Sequence, residues 1–106
     1  MELTSGQLKK SGFEAALKST FVVSAVEQAT PGHGMTLTEL RSRPAPPGFE
    51  QFSLLFEGPP EPMLPQGIYQ FRHDQLGEMP LFTVPIGKNS HAAQYEVCIS
   101  RTTDSD

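Results

Sequence analysis

The chain has 106 residues, with eight Lys and Arg against twelve Asp and Glu, a net charge of −4, and 37% hydrophobic against 19% charged residues. That length fits a single domain over residues 1–106 with one modest core. The acidic balance speaks against a nucleic-acid binder, which needs a basic patch for phosphate contacts. The single cysteine excludes an internal disulfide, and no apolar run is long enough for a membrane span or a signal peptide. Ten prolines and nine glycines favour many short elements joined by turns, hence a β-rich fold.

Thr4 and Gln7 form a capping-box pair, and Leu3 can staple onto Leu8, which predicts a short helix over Ser5–Lys10. Ser11 and Glu14 repeat the signal, predicting a helical turn over Phe13–Leu17 in which Phe13 and Leu17 share a face. Neither helix is long enough to stand alone, so both must dock on a sheet.

Phe21–Glu27 is rich in β-branched residues and reads as the first strand. After a loop over Gln28–Gly34, Met35–Arg41 reads as the second. Met35 and Leu37 share one side while Leu40 falls on the other, so a bulge near Glu39 is expected. Arg43–Gly48 cannot continue a ladder, because its prolines donate no hydrogen bonds. Gln51–Glu57 is the clearest strand: Phe52, Leu54 and Phe56 alternate with Gln51, Ser53 and Glu57.

A second proline-rich loop, Gly58–Pro65, leads into a hairpin with strands Ile68–His73 and Met79–Ile86 around a turn at Asp74–Gly77. Tyr69 and Phe71 supply the buried face of one strand, and Phe82, Val84 and Ile86 that of the other. Pro80 and Pro85 place the second strand at a sheet edge or at bulged ends. Tyr95, Val97 and Ile99 alternate with Gln94, Glu96, Cys98 and Ser100 in a closing strand, and the polar tail from Thr102 to Asp106 is expected to fray. The fold class is therefore mainly β: a small antiparallel β-barrel or compact sandwich of about six strands, with one or two short N-terminal helices plugging one end.

The candidate chemistry is sparse. Cys98 falls on the polar face beside Glu96, where a carboxylate suppresses the thiolate. His33, His73 and His91 lack the compact spacing of a zinc motif, and Asp74 already has work starting the turn. Asp74 and Glu78 flank the hairpin tip as solvated carboxylates do, and Gly32 and Gly34 lack the lysine and hydroxyl of a phosphate loop. No metal, cofactor or enzymatic activity is therefore expected. Met35, Phe52, Phe56, Tyr69 and Phe71 could instead wall an apolar ligand pocket inside a barrel. The two proline loops hold a pre-extended backbone of the kind partners recognise, which makes Pro44, Pro46, Pro47, Pro59, Pro60 and Met63 the candidate binding residues.

The segments FSLLFEGP, LPQGIYQFRHDQLGEMPLFTVPIG and YEVCISR resemble a family of short bacterial proteins known as a domain of unknown function. In that family a strand like Phe52–Pro59 is followed by Leu64–Tyr69, a Gly-turned hairpin, a Leu-Phe-x-Val-Pro strand and a closing strand with a tyrosine. The resemblance spans the second half of the chain and the Phe13–Phe21 stretch. Its motifs are structural, so it implies a fold and transfers no functional residue. Members are often encoded beside proteins with phage tail-collar domains, which implies a part in a tail-derived fibre or its assembly. The expected function is a non-enzymatic protein-binding or structural domain, as subunit, anchor or assembly factor of such a fibre. Its expected partner is another protein or a second copy, with no nucleic acid or membrane. The expected location is cytoplasmic, or within an assembled extracellular fibre reached without a signal peptide. The alternative is a small-molecule-binding β-barrel.

Overall fold

Two three-stranded antiparallel meanders close into one barrel in the computed structural model, which describes residues 10–25, 32–61 and 63–102. The first meander is β1 (Thr20–Ala25), β2 (His33–Arg43) and β3 (Phe49–Gly58); the second is β4 (Gly67–His73), β5 (Gly77–Lys88) and β6 (Ala93–Thr102). The ring runs β1-β2-β3-β6-β5-β4, so β3 meets β6 and β1 meets β4, both antiparallel. Exchanging the two meanders maps the ring onto itself. Each middle strand is irregular, β2 between Leu37 and Glu39 and β5 between Pro85 and Gly87. The expected small six-stranded barrel forms, preceded by one short helix, α1 (Lys10–Ala15).

Side-chain alternation decides what each strand shows to the interior. Phe52, Leu54 and Phe56 of β3 and Tyr95, Val97 and Ile99 of β6 turn inward, as their period predicts. Phe21 and Val23, Met35 and Leu37, and Phe71 complete the wall. Phe21 lies at the centre, with ring centroids 5.2 Å from Phe56 and 6.3 Å from Phe71 in edge-on contact, a favourable aromatic geometry. The irregularity expected near Glu39 is present, and beyond it Leu40 packs half-buried against the core.

The buried face of β5 is the reverse of the expected one. Phe82, Val84 and Ile86 do share a side, but it faces outward; Met79, Leu81 and Thr83 are the buried residues. The turn register is the reason. His73 pairs with Gly77, so Phe71 lies opposite Met79 and Tyr69 opposite Leu81, and residues directly opposite share a face. Gly77 adopts φ 80°, as the turn with its bulge requires.

Along Gly77–Thr83 β5 has the free side of an edge strand, as its prolines led one to expect. It pairs with β4 along Gly77–Thr83 and with β6 only from Val84 onward. Pro80 sits in the one-sided stretch and Pro85 at the irregularity, the places that tolerate a missing N–H. The closing strand β6 lies between β3 and β5, and it pairs with β5 only over Ala93–Glu96.

The helix spans the end where β5 and β6 diverge. Lys10 N–H donates to Glu50 Oε1 at 3.4 Å, a Cβ on Gly12 would lie 3.2 Å from Leu76, and the Phe13 ring meets Phe52 at 5.9 Å. The expected Phe13–Leu17 pairing does not occur. The helix ends at Ala15, the chain turns through Lys18 at φ 70°, Ala16 takes the buried place and Leu17 stays exposed. Lys18 N–H donates to the Leu37 carbonyl at 2.7 Å and Leu37 N–H to that of Ser19 at 3.1 Å, which locks this turn onto β2. The expected Ser5–Lys10 helix, apart from Lys10, lies outside the described residues, as do the end of the expected first strand and residues 103–106.

Two backbone positions give a test of opposite signs. Phe49 N–H donates to the Pro46 carbonyl at 3.1 Å around Pro47 and Gly48, with Gly48 at φ 86°: a type II turn. In urea denaturation, Gly48→Ala is expected to cost about 1 kcal/mol through strain alone, because its added Cβ meets no atom within 4 Å. Lys18→Gly removes a left-handed lysine and is expected to add about 0.5–1 kcal/mol.

Candidate interaction surface

The two proline loops have different fates. Pro44, Pro46 and Pro47 are exposed at the tip of the β2–β3 hairpin, beside the half-exposed ring of Phe49. The other loop is fastened to the barrel. Met63 and Leu64 pack against the core, Leu64 N–H donates to Tyr95 Oη at 2.8 Å, and Tyr69 O–H donates to the Pro65 carbonyl at 2.6 Å. Lys88 pairs with Glu61 on the same loop. Of the candidate residues there, Pro59 is exposed, while Pro60 and Met63 are half-buried. This loop joins β3 to β4 and covers the Tyr95 end of the barrel.

Among the described residues, a more apolar part of the surface lies elsewhere. Ile68 and Phe82 pair across β4 and β5 and are 58% and 51% exposed. Val84 continues the outward row of β5, and Ile86, 50% exposed, ends it at the irregularity. A groove of about 450 Å³ starts there and crosses the outer sheet face. Ile86 walls it on β5, Gln94 and Glu96 on β6, Leu55 and Glu57 on β3, and Thr38, Glu39 and Arg41 on β2. Arg41 bonds Glu39, and this hydrogen bond, with the nearby positive charges of Arg41 and Lys18, holds the Glu39 carboxyl below the usual carboxylate value. Arg43 lies across the sheet to Glu96 at 3.3 Å and to the hydroxyl of Ser53, which explains why Ser53 is buried although it faces outward.

The titratable candidates are dispersed. Cys98 is exposed on the outer face, its Sγ 3.7 Å from Ser53 Oγ. His91 is exposed in the β5–β6 turn, where Asn89 Oδ1 accepts its backbone N–H at 2.7 Å. Among the described residues no group of three His, Cys, Asp or Glu is placed to hold a metal ion.

His73 is buried near Phe21, with Nε2 2.8 Å from Ser19 Oγ in a surface cleft. The spacing suits a serine–histidine pair, but the proton placement does not. Nδ1 accepts the backbone N–H groups of Gln75 and Leu76 at 3.1 and 3.3 Å, so the ring proton sits on Nε2 and is donated to Ser19. Ser19 passes its own hydrogen to the Ala16 carbonyl. A general base needs the opposite arrangement, with the ring nitrogen accepting from the hydroxyl. The pair works as a clasp between the β4–β5 turn and the α1–β1 junction.

The expected ligand-pocket residues Met35, Phe52, Phe56 and Phe71 are fully buried, and Phe56 and Phe71 meet at 5.0 Å; Tyr69 is half-buried. Ile68 falls outside by the alternation of β4, whereas Phe82 does so only through the turn register, which was the signal that could have found the row.

Burial, followed by the nearby Tyr95, raises the Tyr69 phenol above its ordinary value. With a folded value above the unfolded one, its contribution is whole below about pH 10 and is lost as pH rises through the folded value. Denaturation as a function of pH is expected to show an alkaline decline that Tyr69→Phe removes, at a cost near neutrality of about 1 kcal/mol for the bond to Pro65.

No curated protein and no solved structure is significantly similar to this chain. A family model described as Domain of unknown function (DUF6916) matches residues 8–99, a span that takes in α1 and every strand up to Ile99, and the chain belongs to that family.

Proposed function

We propose that this is a non-enzymatic domain that holds another protein chain through the outward face of β5. The observation that carries the reading is the row of Ile68, Phe82, Val84 and Ile86, large apolar side chains adjacent on the outside of a barrel whose interior rings of Phe21, Phe56 and Phe71 pack on one another. Contiguous exposed apolar surface of this kind marks association, and aromatic residues at its centre are the usual anchors. The exposed tip with Pro44, Pro46, Pro47 and Phe49 offers a second, pre-extended contact. A subunit, anchor or assembly factor of a tail-collar fibre is the specific form of this function that the family resemblance supports. The alternative, a small-molecule barrel, has less behind it, because its candidate walls pack on one another.

The tagged chain, purified from its native source, is expected to retain a protein in stoichiometric amount. Phe82→Asp is expected to lose that protein while changing stability by less than about 1 kcal/mol, since the ring is half in water. A chain recovered as a bare monomer contradicts the reading, as does a partner that Phe82→Asp leaves in place.

A further inference from the structure

We infer that the groove across β2, β3, β6 and β5 receives an extended segment of the partner in which Lys or Arg stands beside an aliphatic residue; this rests on the protein-binding reading above. The groove lies on the outer sheet face, between the irregular stretches of β2 and β5. Such irregularities re-aim side chains, which is one reason they occur beside sites. Crossing four strands means three inter-strand spacings of about 4.8 Å, roughly 14 Å in all, the length of about four extended residues.

Leu55 is half-buried at its floor and Ile86 stands half-exposed at its β5 end, continuous with Val84 and Phe82. These residues form a seat for an aliphatic side chain. Charge selects what flanks that side chain. Glu39 is neutralised by Arg41, and Glu96 is reached by Arg43. Glu57 differs: among the described residues its carboxylate contacts only the side-chain amide of Gln94, at 3.5 Å. An aliphatic group on Leu55 and Ile86 with a cation at Glu57 is the occupant that fits both features, and the net charge of −4 disfavours an acidic one. At this exposure the ion pair sets register and partner choice more than affinity.

The test selects peptides from a random ten-residue display library against the folded full-length chain. Recovered sequences are expected to be enriched in Lys or Arg next to Val, Ile or Leu. Their binding is expected to weaken about two- to fivefold in Glu57→Gln and to fall as salt rises. Ile86→Ser is expected to abolish most of it, while Glu78→Gln, outside the groove, leaves it unchanged. Peptides without a basic excess, or equal binding by Glu57→Gln and Ile86→Ser, overturn the assignment. If the native partner is still lost on Phe82→Asp while selected peptides ignore charge, the groove assignment alone falls. If no native partner exists at all, the reading of β5 falls with it.

Discussion

The pairing of β3 with β6 makes one barrel out of two three-stranded sheets. It runs without a break from Phe49 opposite Thr102 to Gly58 opposite Ala93, whereas among the described residues the other closure, β1 with β4, covers Val22–Ala25 against Arg72–Tyr69. A lone three-stranded meander leaves one apolar face in water. Joined along β3 and β6, the two faces bury each other around Phe21, Phe56 and Phe71. Because this closure is complete, β5 can be paired on one side only along Gly77–Thr83, where α1 reaches from Glu50 to Leu76 and covers the divergence.

That geometry determines what is left outside. Shifting β5 by one residue would turn Phe82, Val84 and Ile86 inward, but it would expel Met79 and Leu81 and break the His73–Gly77 pair. The turn therefore fixes the parity, and it is held further by His73, which binds the turn's N–H groups at one nitrogen and Ser19 at the other. Fully burying a side chain such as Ile or Phe is worth about 1.5–3 kcal/mol. At Ile68 and Phe82 much of that stabilisation is not realised in the isolated chain. On the protein-binding proposal, a partner surface would recover it.

Much of the fold was legible in period-two patterning. β3 and β6 alternate, the register slip in β2 required an irregularity near Glu39, and the prolines from Pro44 onward stop β2, although it runs two residues past the expected Arg41 and Arg43 still pairs with Gln51. The failures had physical causes. For β5, the three most apolar residues looked like the core face, but the turn pairs His73 with Gly77 and so sets Phe71 opposite Met79. Phe13 and Leu17 are at helical spacing, but the helix stops at Ala15, which no local residue announces. Ser53 is buried by the long side chain of Arg43, a tertiary event that strand parity does not carry. Pro44, Pro46 and Pro47 were visible as an exposed loop, while Met63 belongs to a lid that packs on the core. The groove needs four strands from both meanders, so no stretch of sequence contains it.

Native-state amide hydrogen exchange, read residue by residue, tests the dependence on β3 and β6 most directly, because it separates local opening from global unfolding. The backbone amides of Leu54, Phe56, Val97 and Ile99 should exchange only through global unfolding, while those of Glu78 and Phe82 on the one-sided stretch of β5 exchange much faster. Leu54 and Val97 exchanging through local opening as readily as Phe82 would contradict the account.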